Sequence, residues 1–174
     1  IGSVTIVQLI PDTSFVLRNL QVQADGSVVI FGALESKQAL FARVLPDNTL
    51  DLTFGTKGFT TFNLTDGHLL GDRHDRSGMV ARTDGSIAVA VELKIGGKNN
   101  GGALFSIDVN GTPENTFGDK GVVYSEGESS FQGLAARPDG KLLVIGRRED
   151  GGLVALLTRE GTPDRTYGQL GQGY

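Results

Sequence analysis

Apolar residues in this chain are grouped into short runs, and glycine-containing turns interrupt those runs at regular places. The stretch 134–146 shows the pattern clearly, since an Arg-Pro-Asp-Gly turn separates Leu-Ala-Ala from Leu-Leu-Val-Ile. No window of a dozen residues keeps apolar residues at the spacing of a helix face without a glycine or a proline. The pattern therefore predicts many short β-strands joined by tight turns.

The same turn occurs three times, and a second marker follows each occurrence. Asp-Gly turns begin at Asp25, Asp84 and Asp139, which are 59 and 55 residues apart. The second marker is an acidic residue followed by x-Thr-aromatic-Gly-x-x-Gly, and it occupies 51–58, 114–121 and 164–171. Two independent markers that recur three times in the same order indicate three structural repeats, which we call units 1, 2 and 3.

Each unit has the pattern of four strands, A to D, with the Asp-Gly turn between A and B. Strand B is predicted at 28–31, 87–91 and 142–145, strand C at 39–45, 103–109 and 153–159, and strand D at 59–64 and 122–125. Glycine-rich turns, such as 95–102, are predicted between B and C. Strand B is almost continuously apolar, as expected of a strand covered on both faces. Four strands in a period of this length favour a β-propeller blade over a sandwich or a barrel.

The best-preserved markers are those of unit 3, Arg-Pro-Asp-Gly-Lys at 137–141 and Gly-Thr-Pro-Asp-Arg-Thr-Tyr-Gly at 161–168. Together they resemble the bacterial "delta-sixty" propeller repeat, and the resemblance covers nearly the whole chain. It implies a β-propeller carried by large secreted or surface proteins of bacteria, and it implies no catalytic residues. The departures are conservative for turns and packing: Ala24 and Thr83 replace the proline, Asp47-Asn48 replaces Asn-Gly, and Tyr167 replaces Phe.

We therefore predict an all-β fold, a single β-propeller domain over 1–174 with three four-stranded antiparallel blades. The blades are expected at approximately 14–64, 73–125 and 130–174, with 1–10 as an extra outer strand. Three blades are too few for a ring, because propellers typically have about 4–8. Two explanations remain open. In one, a two-fold dimer of six blades forms when each 1–10 strand completes the partner's third blade; in the other, the chain is a slice of a longer array of blades.

Composition and charge exclude several classes of protein. The net charge is −4 and the basic residues are scattered, which disfavours nucleic acid as a partner. No apolar run approaches the roughly 20 residues of a membrane span. The absence of cysteine excludes disulfides, thiolate chemistry and cysteine-ligated metals. The compartment stays open, although the resemblance favours a secreted, periplasmic or cell-surface protein.

The repeated markers themselves predict structural roles, so no metal and no cofactor is expected from them. The aspartates of the Asp-Gly turns lie one to a blade, too far apart to share a calcium ion, and Asp-Gly is a favoured turn sequence. In the second marker, the aromatic residue is predicted to insert between neighbouring blades as a packing wedge, and the glycine after it lets the chain reverse. These aromatic residues are Phe54, Phe117 and Tyr167.

Only the segment 66–76, Asp-Gly-His-Leu-Leu-Gly-Asp-Arg-His-Asp-Arg, has no counterpart in the other units, and it contains both histidines. His74 with Asp72 or Asp75 could ligate a metal or form a base and its orienting carboxylate. A solvated loop is the plainer interpretation. The chain has no Gly-x-Ser-x-Gly sequence.

Strand A is expected to line the central channel of a propeller. Counting back from the Asp-Gly turns places Arg18, Ser77 and Gln132 at equivalent positions, with Arg76 one residue earlier. These residues could form a polar pocket for an anionic or hydroxylated ligand, or simply line a water-filled channel. The candidate ligand-binding residues are thus Arg18, His74, Asp75, Arg76, Ser77 and Gln132.

The predicted function is a non-catalytic binding or scaffold module, not an enzyme, with an unknown glycan or protein ligand. The alternative is a glycan-acting or other hydrolytic enzyme that uses the loop around His74. The predicted partners are a second copy of the chain or the neighbouring blades of a longer array.

Overall fold

The computed structural model describes residues 15–65, 67–71, 76–125, 127 and 129–168. These residues contain twelve β-strands and no helix, and every strand pair is antiparallel. The prediction of an all-β fold is therefore confirmed. The predicted outer strand 1–10 and the predicted end of unit 3 lie outside the described residues.

The strands form three sheets, one for each unit. Sheet 1 contains β1 (Phe15–Val22), β2 (Val28–Leu34), β3 (Gln38–Val44) and β4 (Phe59–Asn63), paired in that order. Sheet 2 contains β5 (His68–Leu70), β6 (Ser77–Ala81), β7 (Ile87–Ile95), β8 (Lys98–Ile107) and β9 (Val122–Tyr124). In sheet 2, both β5 and β6 pair with β7, followed by β8 and β9. Sheet 3 contains β10 (Ser130–Ala136), β11 (Leu142–Arg148) and β12 (Gly151–Leu157).

The Asp-Gly turns have the structural role expected of them. Each aspartate accepts a hydrogen bond from the backbone N–H two residues later, at 2.9 Å from Ser27, 3.0 Å from Ser86 and 3.2 Å from Lys141. The glycine that follows each aspartate has a positive φ, between 82° and 84° in all three turns. Such local bonding fixes where strand B begins in each unit.

The glycine-rich segment 95–102 differs from the prediction. Instead of a long turn, β7 and β8 continue through it and are joined by Gly96 and Gly97 alone, with φ values of 58° and 82°. Two consecutive residues with positive φ make the tight hairpin turn that matches strand twist. The remaining glycines of the segment, Gly101 and Gly102, are buried within β8, where side chains of neighbouring strands occupy the adjacent space.

Sheet 2 lies between sheets 1 and 3. Alternate residues of β7 point to opposite sides: Val89 and Val91 pack with Phe31 and Phe41 of sheet 1, and Ala90 packs in the cluster shared with sheet 3. Both faces of β7 are therefore buried, as its continuous apolar sequence predicted. The described strands do not close into a ring, so the propeller arrangement stays a prediction.

Sheets 2 and 3 approach closely at Gly78 of β6. A Cβ at this position would lie 2.4 Å from the backbone nitrogen of Leu134 in β10. We expect Gly78→Ala to lower the free energy of unfolding by about 1–3 kcal/mol, because the two strands would have to move apart. Urea denaturation measures the change. Gly152→Ala is the control, since no atom lies within 4 Å of its added Cβ; equal losses in both variants would contradict this account.

Candidate functional site

Strand β6 of unit 2 contacts the first strands of units 1 and 3, β1 and β10. Ser77 Oγ of β6 donates a hydrogen bond to Asn19 Oδ1 of β1 at 3.2 Å. On its other side, β6 contacts Gly133 and Leu134 of β10 through Gly78. Arg18, Ser77 and Gln132 therefore lie on three adjacent strands.

The strand register explains why these residues project from the sheets. In β1, Leu17 pairs with Gly32 and Asn19 with Phe31, so Arg18 is an extra residue in a β-bulge. In β10, Gln132 is the extra residue at the corresponding point, between Phe131 and Gly133. A bulge redirects a side chain away from the regular alternation of the strand.

Unit 2 has no such bulge, because Ser77 and Gly78 pair with the consecutive residues Val91 and Ala90. Its insertion, 71–76, lies one position earlier, between Leu70, which pairs with Leu93, and Ser77, so that it faces Glu92. Counting back from the Asp-Gly turn is therefore wrong by one position in this unit: by register, Ser77 corresponds to Leu17 and Phe131. The segment that appeared to be a solvated loop also contains the short strand β5.

A chain of polar contacts links the insertion to the two neighbouring strands. Arg18 Nη2 donates to the carbonyl of Gly71 at 2.8 Å, and the Gly71 N–H donates to the carbonyl of Glu92 at 3.0 Å. The Arg76 guanidinium then pairs with the Glu92 carboxylate, Nη1 to Oε1, at 3.3 Å. We call the group Arg18, Arg76, Ser77, Glu92 and Gln132 the bulge site.

Glu92 was not predicted from the sequence, although a signal was present. It is the one charged residue in the first seven residues of β7, which are otherwise apolar. Its side chain is 2% exposed, and Oε2 has no hydrogen-bond partner among the described residues. Charged groups are rarely buried unless they are paired or functional, so a lone acid inside an apolar strand is a strong indication of a site.

Gln132 completes the site from sheet 3. Its Nε2 donates to Ser130 Oγ at 3.4 Å, which leaves the amide partly exposed. Gly102, the register partner of Glu92, lies against this strand, since a Cβ there would be 2.8 Å from the Phe131 nitrogen. The buried carboxylate is thus located where sheet 2 meets the start of β10.

The charges of the bulge site favour a particular kind of ligand. The site holds two guanidinium groups, and arginine is suited to bidentate binding of a carboxylate or phosphate. Glu92 Oε2 can accept a hydrogen bond from a hydroxyl group. The combination suits a small hydroxylated anion.

His74 and Asp75 lie outside the described residues, so the hydrolytic alternative stays a prediction. The described His68 has a different environment, since its ring meets that of Tyr124 edge-on at 5.3 Å. In the described part of the chain, no group of three histidine or acidic side chains has the arrangement of a metal site.

A second charged cluster joins units 2 and 3, and it contains none of the bulge-site residues. Arg159 Nη2 forms an ion pair with Asp84 and approaches Glu114 Oε1 at 3.5 Å. Burial raises the pKa of Asp84, but its hydrogen bonds with Ser86 and Arg159 outweigh that effect and lower the pKa to about 2. Asp84 is therefore ionised at neutral pH and holds Arg159 of the next unit, which is a structural role.

Two surface grooves lie elsewhere. One, of about 460 Å³, runs between units 1 and 2 and is lined by Thr56, Thr60, Thr61, Thr112 and neighbouring residues. The other, of about 410 Å³, is beside the turn between β2 and β3. No bulge-site residue lines either groove, and the Thr60 hydroxyl in the larger one is already bonded to the Gly111 carbonyl. The smaller groove is lined by Glu35 and Lys37, but both are exposed, unlike Glu92.

Comparison with protein-family models gives no match, and comparison with curated proteins gives none either. The resemblance to the delta-sixty repeat therefore depends on the repeated markers alone. Among the described strands and turns there is no helix long and apolar enough to cross a membrane.

Proposed function

We propose that this protein is a non-catalytic binding or scaffold module of the delta-sixty propeller type, part of a secreted or surface protein of bacteria. Its ligand would be a small hydroxylated anion, such as an acidic sugar, held at the bulge site. The observation that carries the proposal is the convergence of Arg18, Arg76 and the buried Glu92 through successive contacts of 2.8, 3.0 and 3.3 Å.

The energetics of Glu92 support a ligand with hydroxyl groups. A buried acceptor without a hydrogen-bond partner costs about 1–3 kcal/mol, and more for a charged group. A hydroxyl group of a bound ligand would satisfy Oε2, while the guanidinium of Arg76 is near enough to contact the ligand's anionic group. A neutral sugar would satisfy Glu92 but would offer the guanidinium groups no anionic partner.

Glucuronate is a suitable probe, with glucose as its neutral counterpart, and isothermal titration calorimetry measures the binding. We expect glucuronate to bind more tightly than glucose. Arg76→Gln should weaken glucuronate binding by about ten- to a hundredfold, the loss of one charge-assisted hydrogen bond. Glu92→Gln should weaken both sugars, because it removes an acceptor that does not distinguish them.

Arg137→Gln is the matched control, because this arginine is about half exposed in a turn away from the bulge site. It should leave both affinities unchanged. Failure of both sugars to bind, or equal binding by the Arg76→Gln and Arg137→Gln variants, would contradict the proposed site.

A further inference from the structure

Unit 1 is joined to unit 2 by a contact between an aromatic ring and a glycine. Phe54 is buried against Gly111, where a Cβ would lie 2.8 Å from three atoms of the ring. The next residue, Gly55, donates its backbone N–H to the carbonyl of Asn110 at 2.7 Å. The ring and the hydrogen bond together make what we call the wedge contact.

Units 2 and 3 are joined by the same contact. Phe117 lies against Gly161, where a Cβ would be 2.9 Å from the ring, and Gly118 N–H donates to the carbonyl of Glu160 at 2.9 Å. The prediction that these aromatic residues insert between units is confirmed for Phe54 and Phe117. The contact has two halves, an aromatic-glycine pair on one unit and a turn on the next.

Among the described residues, one copy of each half has no counterpart. Tyr167 and Gly168 of unit 3 correspond to the aromatic half, and the Tyr167 N–H bonds to Asp164 O at 2.9 Å, as Phe117 bonds to Glu114 O. Asp47 and Asn48 of unit 1 correspond to the turn half. Within the described ranges, the Gly168 N–H donates no backbone hydrogen bond and the Asp47 carbonyl accepts none.

The unused turn has the same backbone geometry as the two occupied ones. Asn48 has φ of 68°, and Gly111 and Gly161 each have φ of 81°. Asn48 N–H donates to the carbonyl three residues earlier at 2.9 Å, and the two glycines do so at 3.0 Å. Asparagine is among the few residues with a side chain that accept this conformation readily.

Two of the departures from the repeat, Tyr167 and Asn48, would meet in the same contact. The side chain of Asn48 prevents a ring from lying as close to the turn as Phe54 lies to Gly111. The ring of Tyr167 would therefore lie farther from the backbone of this turn. Tyr167 differs from Phe54 and Phe117 by a hydroxyl group at the end of its ring, where it can donate a hydrogen bond to the Asn48 amide oxygen.

Sheet 3 exposes an apolar pair of residues whose equivalents in sheets 1 and 2 are buried. Phe31 pairs with Phe41 in sheet 1, and Ala90 pairs with Leu104 in sheet 2; all four are inaccessible to solvent at the two internal contacts. The register-equivalent pair in sheet 3 is Ile145 and Val154, which are 50% and 45% exposed.

We propose that unit 3 of one copy docks on unit 1 of a second copy, and the reverse, through two further wedge contacts. In each, Tyr167 and Gly168 meet Asp47 and Asn48 of the other copy, and Ile145 and Val154 are covered by the outer face of its sheet 1. The apolar residues of that face that are open to a partner include Val28 and Leu34, since Ile30 and Leu40 of the same cluster are already buried in the single chain. The proposal does not depend on the ligand of the bulge site.

Sedimentation equilibrium of the intact chain tests the proposal. The expected mass is twice that of one chain. Ile145→Asp should weaken the dimer by on the order of a hundredfold, because it places an unpaired charge in an apolar contact. Val109→Asp, which adds the same charge at a 45% exposed position in unit 2, the unit that takes no part in the proposed contact, should not change the mass.

A double-mutant cycle tests the proposed interaction between Tyr167 and Asn48. Tyr167→Phe and Asn48→Gly should each weaken the dimer by about three- to tenfold, because each removes one partner of a hydrogen bond. Together they restore the Phe-Gly pairing of the two internal contacts, so the double variant should recover much of the loss. Thermal unfolding establishes that every variant is folded.

A monomeric intact chain at its highest soluble concentration would overturn the proposal. So would a dimer that Ile145→Asp leaves intact, since the copies would then associate through another surface. Independent, additive effects of Tyr167→Phe and Asn48→Gly would overturn the pairing of these two residues.

Discussion

Phe117→Ala is expected to lower the free energy of unfolding by about 3–5 kcal/mol, the usual cost of removing a buried phenylalanine ring. The ring is inaccessible to solvent and fills the space above Gly161 of the next unit. The Arg82 guanidinium also lies over the ring, 5.3 Å from its centre, and would lose that contact. The loss should be large because this ring belongs to the contact that joins units 2 and 3.

Urea denaturation measures this change, and the chain supplies a matched control. Tyr167→Ala removes the equivalent ring of unit 3, which is only partly buried. At chain concentrations low enough to keep the protein monomeric, it should cost much less than Phe117→Ala. Similar losses in the two variants would show that burial between units does not determine the contribution of the ring.

Glu114→Ala is expected to cost a comparable amount, about 3–5 kcal/mol, because it leaves a buried cation without its counter-charge. The Arg82 side chain is fully buried, and its Nη1 is 2.6 Å from Glu114 Oε2. The hydroxyl groups of Ser86 and Ser106 also accept from Nη1, at 3.1 and 2.9 Å, but they carry no negative charge.

The double variant Arg82→Met with Glu114→Ala tests the cause of that loss. If the uncompensated charge dominates, removing both partners should be less destabilising than removing Glu114 alone. Urea denaturation of the two single variants and the double variant provides the comparison. A double variant that loses the sum of the two single effects would contradict this explanation.

The parts of the fold that depend on local chemistry could be predicted from the sequence. An Asp-Gly turn creates its own hydrogen bonds, so the beginning of strand B was predicted correctly in all three units. The stacking of sheets followed from the apolar character of β7 on both faces. The ends of β7 and β8 were not predicted, because the glycines of 95–102 suggest a loop unless the facing strand is known.

The candidate site was predictable only in part, because it depends on pairing between distant strands. Arg18 and Gln132 were selected by counting, and both are bulged residues of their strands. Counting back from the Asp-Gly turn misplaced Ser77 by one position, because a bulge adds a residue to one strand and cannot be recognised from the sequence of that strand. Glu92 was missed because the repeat has no acidic residue at that place, which is Ala33 in unit 1 and Arg147 in unit 3.

The position of the insertion in sheet 2 has a consequence for how the protein can vary. Strand pairing on either side of 71–76 is complete, from Leu70 with Leu93 to Ser77 with Val91. The register is already interrupted at this insertion, so a segment of different length or composition placed there does not shift the pairing of either neighbour. The proposed binding specificity could therefore be changed through this one segment while the sheets that support it keep their sequence.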